Sequence, residues 1–431
     1  MKRTILFAGL FLTAISCGGN TDRDAVLRLM DEEGLAERVE SKYAGLFTGS
    51  LRAGDGYNEV WIRDYNTFIE LAMDYMPDSA IRGALNTFFA FQGEDGNIVD
   101  GYMEREKAEE NTYDYRYAPS RPWLVAHKNT VETDQEASLV QAVRKYVDKS
   151  GNFDYLDERV DGISVRERLE RALAYLRDCK TDARYGLLTG ATTADWGDVQ
   201  PEHDWGVAID ANTHFAIDIY DNAMYVLAID DYLALVPDGE RSAAWKSLRD
   251  SVAGNVRKFL WDAGRRKFIP HIYLEDSPFP AGFDENAIYY HGGTAVAALA
   301  GFLSREEVLE AYGRMEENRR AAGAQTVGLT MYPPYPEGFF RNPGMYPYGY
   351  QNGGDWTWFG ARMVEALVKY GFYREAYEAL RPMLQRIVDN NGFYEWYRPD
   401  GTPEGSGTFR GEAGVIYRAV HALRNTESCN D

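Results

Sequence analysis

The sequence predicts an all-α fold, an (α/α)6 toroid of six helical hairpins with long loops gathered on one rim. Three observations predict it. Helical periodicity dominates and strand alternation is scarce. Helices apolar on nearly every side alternate with amphipathic ones, as buried and partly exposed layers require. Loop lengths alternate too, tight within most hairpins and long between them.

Residues 1–23 precede the toroid. Lys2 and Arg3 are followed by an apolar stretch from Thr4 to Ile15 and then by Ser16-Cys17-Gly18. A basic start, a short apolar core and a small residue before the next segment make an export signal, too short to span a bilayer. The run Ala14-Ile15-Ser16-Cys17 resembles a bacterial lipoprotein signal. That resemblance implies removal of residues 1–16, lipidation of Cys17 and a tether over 17–23. It places the protein in the cell envelope, at the periplasmic face or cell surface, with the lipid as its membrane contact.

Residues 24–40 read as a helix. Nearly all-apolar or motif-bearing helices follow at about 61–75, 131–149, 213–236, 292–303 and 355–370. Each is succeeded by an amphipathic partner, near 78–92, 164–179, 240–261, 304–318 and 373–389. Ser164-Val-Arg-Glu167 and Ser304-Arg-Glu-Glu307 open two of these as capping boxes. A helix at 409–424 is left over; paired with 24–40 across the termini, it makes a sixth hairpin and closes a ring. The catalytic domain then spans 24–425, with 426–431 as a tail. An open helical solenoid is the competing fold, but no repeat of fixed period appears. The long loops, 41–60, 93–130, 180–212, 262–291, 319–354 and 390–408, would surround one cavity.

The chain of 431 residues carries 67 acidic against 46 basic residues, a formal charge of −21. That excludes a nucleic-acid partner, which needs a basic face. Nine Trp, 30 Tyr and 20 Phe suit a neutral ligand with flat apolar faces, and carbohydrate fits that description. After cleavage the remaining cysteines, Cys179 and Cys429, indicate neither a metal site nor a disulfide framework. His203, His214 and His291 show no metal-ligating spacing, and no cofactor is expected.

Four runs on the long loops combine Trp or Gly with carboxylates: Glu59-Val-Trp-Ile-Arg-Asp64, Thr193-Ala-Asp-Trp-Gly-Asp198, Gln351-Asn-Gly-Gly-Asp-Trp-Thr-Trp358 and Phe393-Tyr-Glu-Trp-Tyr397. Core packing accounts for the aromatic residues but does not ask for adjacent acids, because a buried carboxylate needs a partner. Glycosidic cleavage wants this set. Two carboxyl groups flank the bond, aromatic rings stack on the sugar, and Asp, Asn and Arg bind hydroxyls. No phosphate-cradling loop, zinc-helix motif or nucleophile elbow competes.

At these residues the chain resembles the (α/α)6 glycoside hydrolases, the group of neutral trehalases, processing α-glucosidases, neutral invertases, glucoamylases and related disaccharide phosphorylases. Trp61-Ile-Arg-Asp64 is similar to the family's Trp-x-Arg-Asp, which implies sugar binding by Trp61, Arg63 and Asp64. Asp195-Trp-Gly-Asp198 resembles the run supplying the general acid, implying Asp198, with Asp195 as the fallback and Trp196 as substrate lining. Asn352-Gly-Gly-Asp-Trp-Thr-Trp358 resembles a substrate-lining segment, implying Asn352, Asp355, Trp356 and Trp358, although Asp355 stands where relatives commonly have an uncharged residue. Tyr394-Glu395-Trp-Tyr397 resembles the run whose Glu is the general base, implying Glu395, with Trp396 beside the sugar. Glu132 and Asp134 either line the cavity or act as helix N-terminal acids. Glu404 and Glu412 read as solvated or structural.

The expected protein is a monomeric, lipid-anchored glycoside hydrolase, inverting and exo-acting on a short α-linked glucoside or oligosaccharide. The alternatives are a disaccharide phosphorylase, a polysaccharide lyase or sugar epimerase on the same toroid, and a non-catalytic glycan-binding lipoprotein.

Overall fold

The computed structural model describes residues 18–109, 113–204, 207–237 and 240–425. The export signal, Cys17 and the 426–431 tail with Cys429 lie outside the described residues, and Cys179 is exposed and unpaired. Among the described residues, no helix is long and apolar enough to cross a membrane.

Thirteen α-helices are present among them: α1 Gly18–Glu33, α2 Leu35–Glu40, α3 Ile62–Tyr75, α4 Asp78–Ala90, α5 Gln135–Ser150, α6 Val165–Cys179, α7 Ile219–Leu235, α8 Ser242–Asn255, α9 His291–Leu299, α10 Arg305–Ala322, α11 Thr357–Lys369, α12 Tyr373–Asp389 and α13 Arg410–Asn425. Helices α3, α5, α7, α9, α11 and α13 each pack on the next, and α13 returns to α3, so an inner ring of six closes. Helices α4, α6, α8, α10 and α12 lie outside as hairpin partners, and α1 and α2 cover α12 and α13. This is the (α/α)6 toroid that the alternation of helix types predicts. The inner helices are buried nearly all round; in α11, Thr357–Val364 are all buried.

The boundaries differ from the sequence expectation where a local group intervenes. The 24–40 helix is two helices, because Gly34 takes the left-handed conformation (φ 61°) and ends α1. The 213–236 helix starts at Ile219, where the Asp218 side chain accepts from the Asp221 amide, and Phe215–Ile217 is instead a strand. The 131–149 helix starts at Gln135, leaving Glu132 and Asp134 in the loop before it. The 304–318 helix runs on to Ala322, with both halves of its capping box formed. In the other box only Ser164 serves, accepting from the Glu167 amide at 3.3 Å, while Glu167 pairs with Arg171. Strands of two to four residues stitch the long loops. They were not legible in sequence because alternation over two residues is no pattern.

The N-terminal ends of the inner helices meet at one rim. Arg63 on α3 reaches Asp134 before α5, Asp134 accepts from Tyr220 on α7, and Thr357 on α11 donates to Glu412 on α13. The 193–198 loop joins α9 to α11, through Asp195 at the Gly293 amide and Trp196 against Phe359.

Ring closure depends on one close approach. A Cβ at Gly414 of α13 would meet the Thr67 carbonyl and lie 2.5 Å from the Phe68 Cα of α3. Gly414→Ala is therefore expected to cost about 1–3 kcal/mol, the usual range for overpacking, measured by urea unfolding. An unchanged midpoint would show that α13 can move away from α3 freely.

Candidate active site

Three of the four runs converge through backbone and ring contacts. Asp355 and Tyr397 exchange backbone hydrogen bonds at 2.9 Å, joining the 351–358 run to the 393–397 run. Gln351 accepts from the Asp198 amide at 3.2 Å, joining the 193–198 run. Trp196 packs edge-on against Trp356 and Trp358, with ring centres 4.8 and 5.4 Å apart. The first run enters through Arg63, whose guanidinium carbon lies 5.8 Å from the Trp196 ring centre.

Arg63 is buried and pairs through Nε and Nη2. It grips Asp134 at 2.8 and 3.2 Å and Glu132 at 3.0 Å. Asp134 also accepts from Tyr220 at 2.8 Å, and Glu132 from Gln135 at 2.9 Å. Both acids thus act on Arg63 and the framework around it. Arg63 positions the site through these two acids.

Three further expected ligands are also spent on the scaffold. Both Asp195 oxygens accept from the Gly293 amide near the start of α9, at 2.9 and 3.1 Å. Asn352 donates to the Tyr335 and Met345 carbonyls and accepts from the Tyr335 amide. Asp355 pairs with Arg386 at 2.9 Å and accepts from the Thr326 amide and hydroxyl. All three are at most 2% exposed. Trp196, Trp356 and Trp358 are likewise at most 3% exposed and form an aromatic floor beneath the site instead of an open stacking surface. Trp61 is half-buried, donating to Glu59 at 2.7 Å, and Trp396 lies near Tyr350. Glu412, read as solvated or structural, is the latter: it is buried and accepts from Thr357, and burial lifts its carboxyl to about 8. Glu404 pairs with Arg398.

Asp198, Glu395 and Asp64 remain. Asp198 Oδ1 is buried with no partner among the described residues, and burial raises its proton affinity against the nearby Arg63 charge and the Gln351 amide. Burial lifts Glu395 to about 7, opposed by the Tyr57 hydroxyl that donates to it and the Ser406 backbone, and aided by the Asp198 charge. Asp64 Oδ1 is also unpartnered, and burial, with Glu395 close by, pushes its carboxyl well up. Asp198 and Glu395 also act together on Tyr350. The arrangement brings the Asp198 and Glu395 carboxyls, both of raised proton affinity, close enough to act on each other and on Tyr350.

Sequence reasoning missed Tyr57, Asp100, Gln351 and Tyr350 as site residues. Burial lifts the Asp100 carboxyl to about 6, against the pull of His127. His127 meets Glu59 at 2.5 Å and stacks on Tyr113, with ring centres 3.9 Å apart. These residues stand singly on long loops, so no spacing announced them; Gln351 and Tyr350 adjoin a conspicuous run. Among the described residues, no group of His, Cys, Asp and Glu is placed to hold a metal ion.

Removing Arg63 would leave Glu132 and Asp134 buried without their cation. Arg63→Met is expected to cost about 3–5 kcal/mol of unfolding free energy, read by urea denaturation. A loss below about 1 kcal/mol would show that other groups balance the two acids.

No protein-family model matches the chain, and no curated protein sequence matches it. Solved structures do. An uncharacterized conserved protein from Thermus thermophilus superposes with TM-score 0.66 at 17% identity, over 88% of this chain and 100% of that one. The GH63 mannosylglycerate hydrolase from the same organism, in complex with glucose, gives 0.63 at 16%, over 88% and 99%. The rhamnosidase from Klebsiella oxytoca with rhamnose bound gives 0.57 at 12%, over 90% of this chain and 64% of that one. The expected resemblance to toroidal glycoside hydrolases therefore holds at the level of the fold.

Proposed function

We propose that this chain is a glycoside hydrolase that works with inversion, with Asp198 as general acid and Glu395 as general base. The pairing of two buried carboxyls of raised proton affinity carries this reading. Asp198 is suited to hold a proton and deliver it to the departing glycosidic oxygen. Glu395, held by Tyr57, is suited to accept a proton from the attacking water on the other side of the sugar. Asp64, with an unpartnered oxygen, and the face of Trp61 supply contacts to hydroxyls and ring. Arg63, Asp134, Asp195, Asn352, Asp355, Trp356 and Trp358 hold these groups in place. The leading substrate is a short α-linked glucoside or oligosaccharide attacked from its end, by a monomer exported and lipid-anchored through Cys17.

Chromatography of the products from a disaccharide panel, with and without phosphate, tests hydrolysis; proton NMR of the first-formed anomer tests inversion. Turnover that requires phosphate, or a retained anomer, would overturn the corresponding part. Asp198→Asn and Glu395→Gln are each expected to lower kcat/KM by about 10²–10⁴-fold; full activity in either removes its assigned role.

The pH dependence follows from the Glu395 carboxyl, which works as a base only when deprotonated. In wild type, kcat/KM is expected to rise as pH climbs through about 7. The folded state binds this proton more tightly than the unfolded chain, so the group increasingly opposes folding as pH rises from the ordinary carboxylate value through about 7. Glu395→Gln should match wild-type stability near pH 4 and exceed it at pH 8. A stability gap that shrinks with rising pH would contradict the assignment.

A further inference from the structure

Beyond the aromatic floor, where Arg362 lies against Trp358 and Phe359, the six inner helices line a half-open cavity of about 190 Å3, more room than one water needs. Every inner helix contributes to its wall, from Thr67 on α3 round to Arg418 on α13. Four of its wall residues are cationic, Lys145, Arg362, Lys369 and Arg418, against Asp231 and Glu365. Arg418 is held by Glu70 and by Glu365 at 3.0 Å. Lys369 donates to the Leu299 carbonyl at 2.6 Å. Lys145 donates to the Asn66 carbonyl and side-chain oxygen, at 2.6 and 2.9 Å, and so has no anionic partner in these bonds.

Arg362 differs from all of these. It is 8% exposed and stands one turn along α11 from Trp358. Its guanidinium carbon lies 5.6 Å from the Trp358 ring centre and 5.1 Å from that of Phe359. Ring contacts of this kind engage the face of a guanidinium and leave the N–H edge unused. Its Nη1 is wholly buried, with no hydrogen-bond partner among the described residues. A buried cation without an acceptor is costly. Asp231 does not supply one: it makes no ion pair among the described residues, and burial lifts its carboxyl to about 7. Below neutrality it is a hydrogen-bond donor and not a competing anion. Burial and the Arg418 charge lower the Lys145 ammonium to about 7, so Lys145 is fully cationic only below neutrality, where Asp231 is uncharged.

We propose that this axial cavity binds a small inorganic oxyanion of the phosphate or sulfate class, gripped by the Arg362 guanidinium edge and by Lys145. The planar fork of Arg362 matches two oxygens of such an ion. The site is separated from the rim by Trp358 and Phe359, so the proposal stands independently of the glycosidase reading.

Inorganic phosphate titrated into the purified protein at constant ionic strength tests it, by calorimetry and thermal unfolding. The expected result is saturable binding, a Tm that climbs with phosphate concentration, and competition by sulfate. Arg362→Met should abolish both responses, while Arg320→Met, a change at an exposed residue of α10, should leave them intact. Lack of saturable binding, or an unchanged response in Arg362→Met, overturns the proposal. Should Arg362→Met fail to fold, Lys145→Met should weaken binding at least about tenfold; unchanged affinity there overturns it. Crystals soaked in selenate should show anomalous density beside Arg362; density at the rim alone also overturns it.

Discussion

Six inner helices pointing the same way bring six N-termini to one rim, and everything at the site answers to that constraint. Each N-terminus presents unsatisfied amides and a partial positive charge. Carboxyl oxygens are natural acceptors for those amides. Asp195 accepts from an α9 amide, Asp218 from an α7 amide, and Asp64 and Glu412 sit in the first turns of α3 and α13. The rim is rich in carboxyl groups for a hydrogen-bonding reason that precedes any chemistry. Arg63 holds two further acids of the rim, Glu132 and Asp134, just before α5.

Against that background the informative carboxyls are those the scaffold has not consumed. Asp195 and Asp355 are saturated by protein donors, so they cannot turn toward a ligand without dismantling a helix start or the Arg386 pair. Asp198 and Asp64 each keep an oxygen that no described residue satisfies. Glu395 keeps its carboxyl near a single tyrosine hydroxyl. Burial makes all three hold protons more tightly than free acids do.

The ring was legible because a helix apolar nearly all round must be covered on every side, as Gly292 to Ala298 of α9 show. Helix starts were less so, since Asp218 and Gly34 act through geometry that periodicity does not encode. At the rim, the four aromatic and acidic runs come together, as their shared composition suggested. They could not separate Asp355, whose partners Arg386 and Thr326 lie some thirty residues away on either side, from Asp198, which lacks one. Nor could they single out Tyr57, which meets Glu395 only after 338 residues of chain. A carboxylate's availability is a property of what surrounds it in space.

The seam between the chain ends has a consequence for how the protein is made. Arg23 donates to the Leu423 carbonyl 400 residues away, and Glu33 pairs with Arg381. During synthesis, α3 emerges early but finds one of its two ring neighbours only when α13 appears. Until then it presents an apolar flank, as does α11. Most of the molecule must therefore wait, partly assembled and prone to stick to other chains, for its last sixteen-residue helix. That helix is the latch, and loss of a short C-terminal piece would disable a far larger share of the protein than its length suggests.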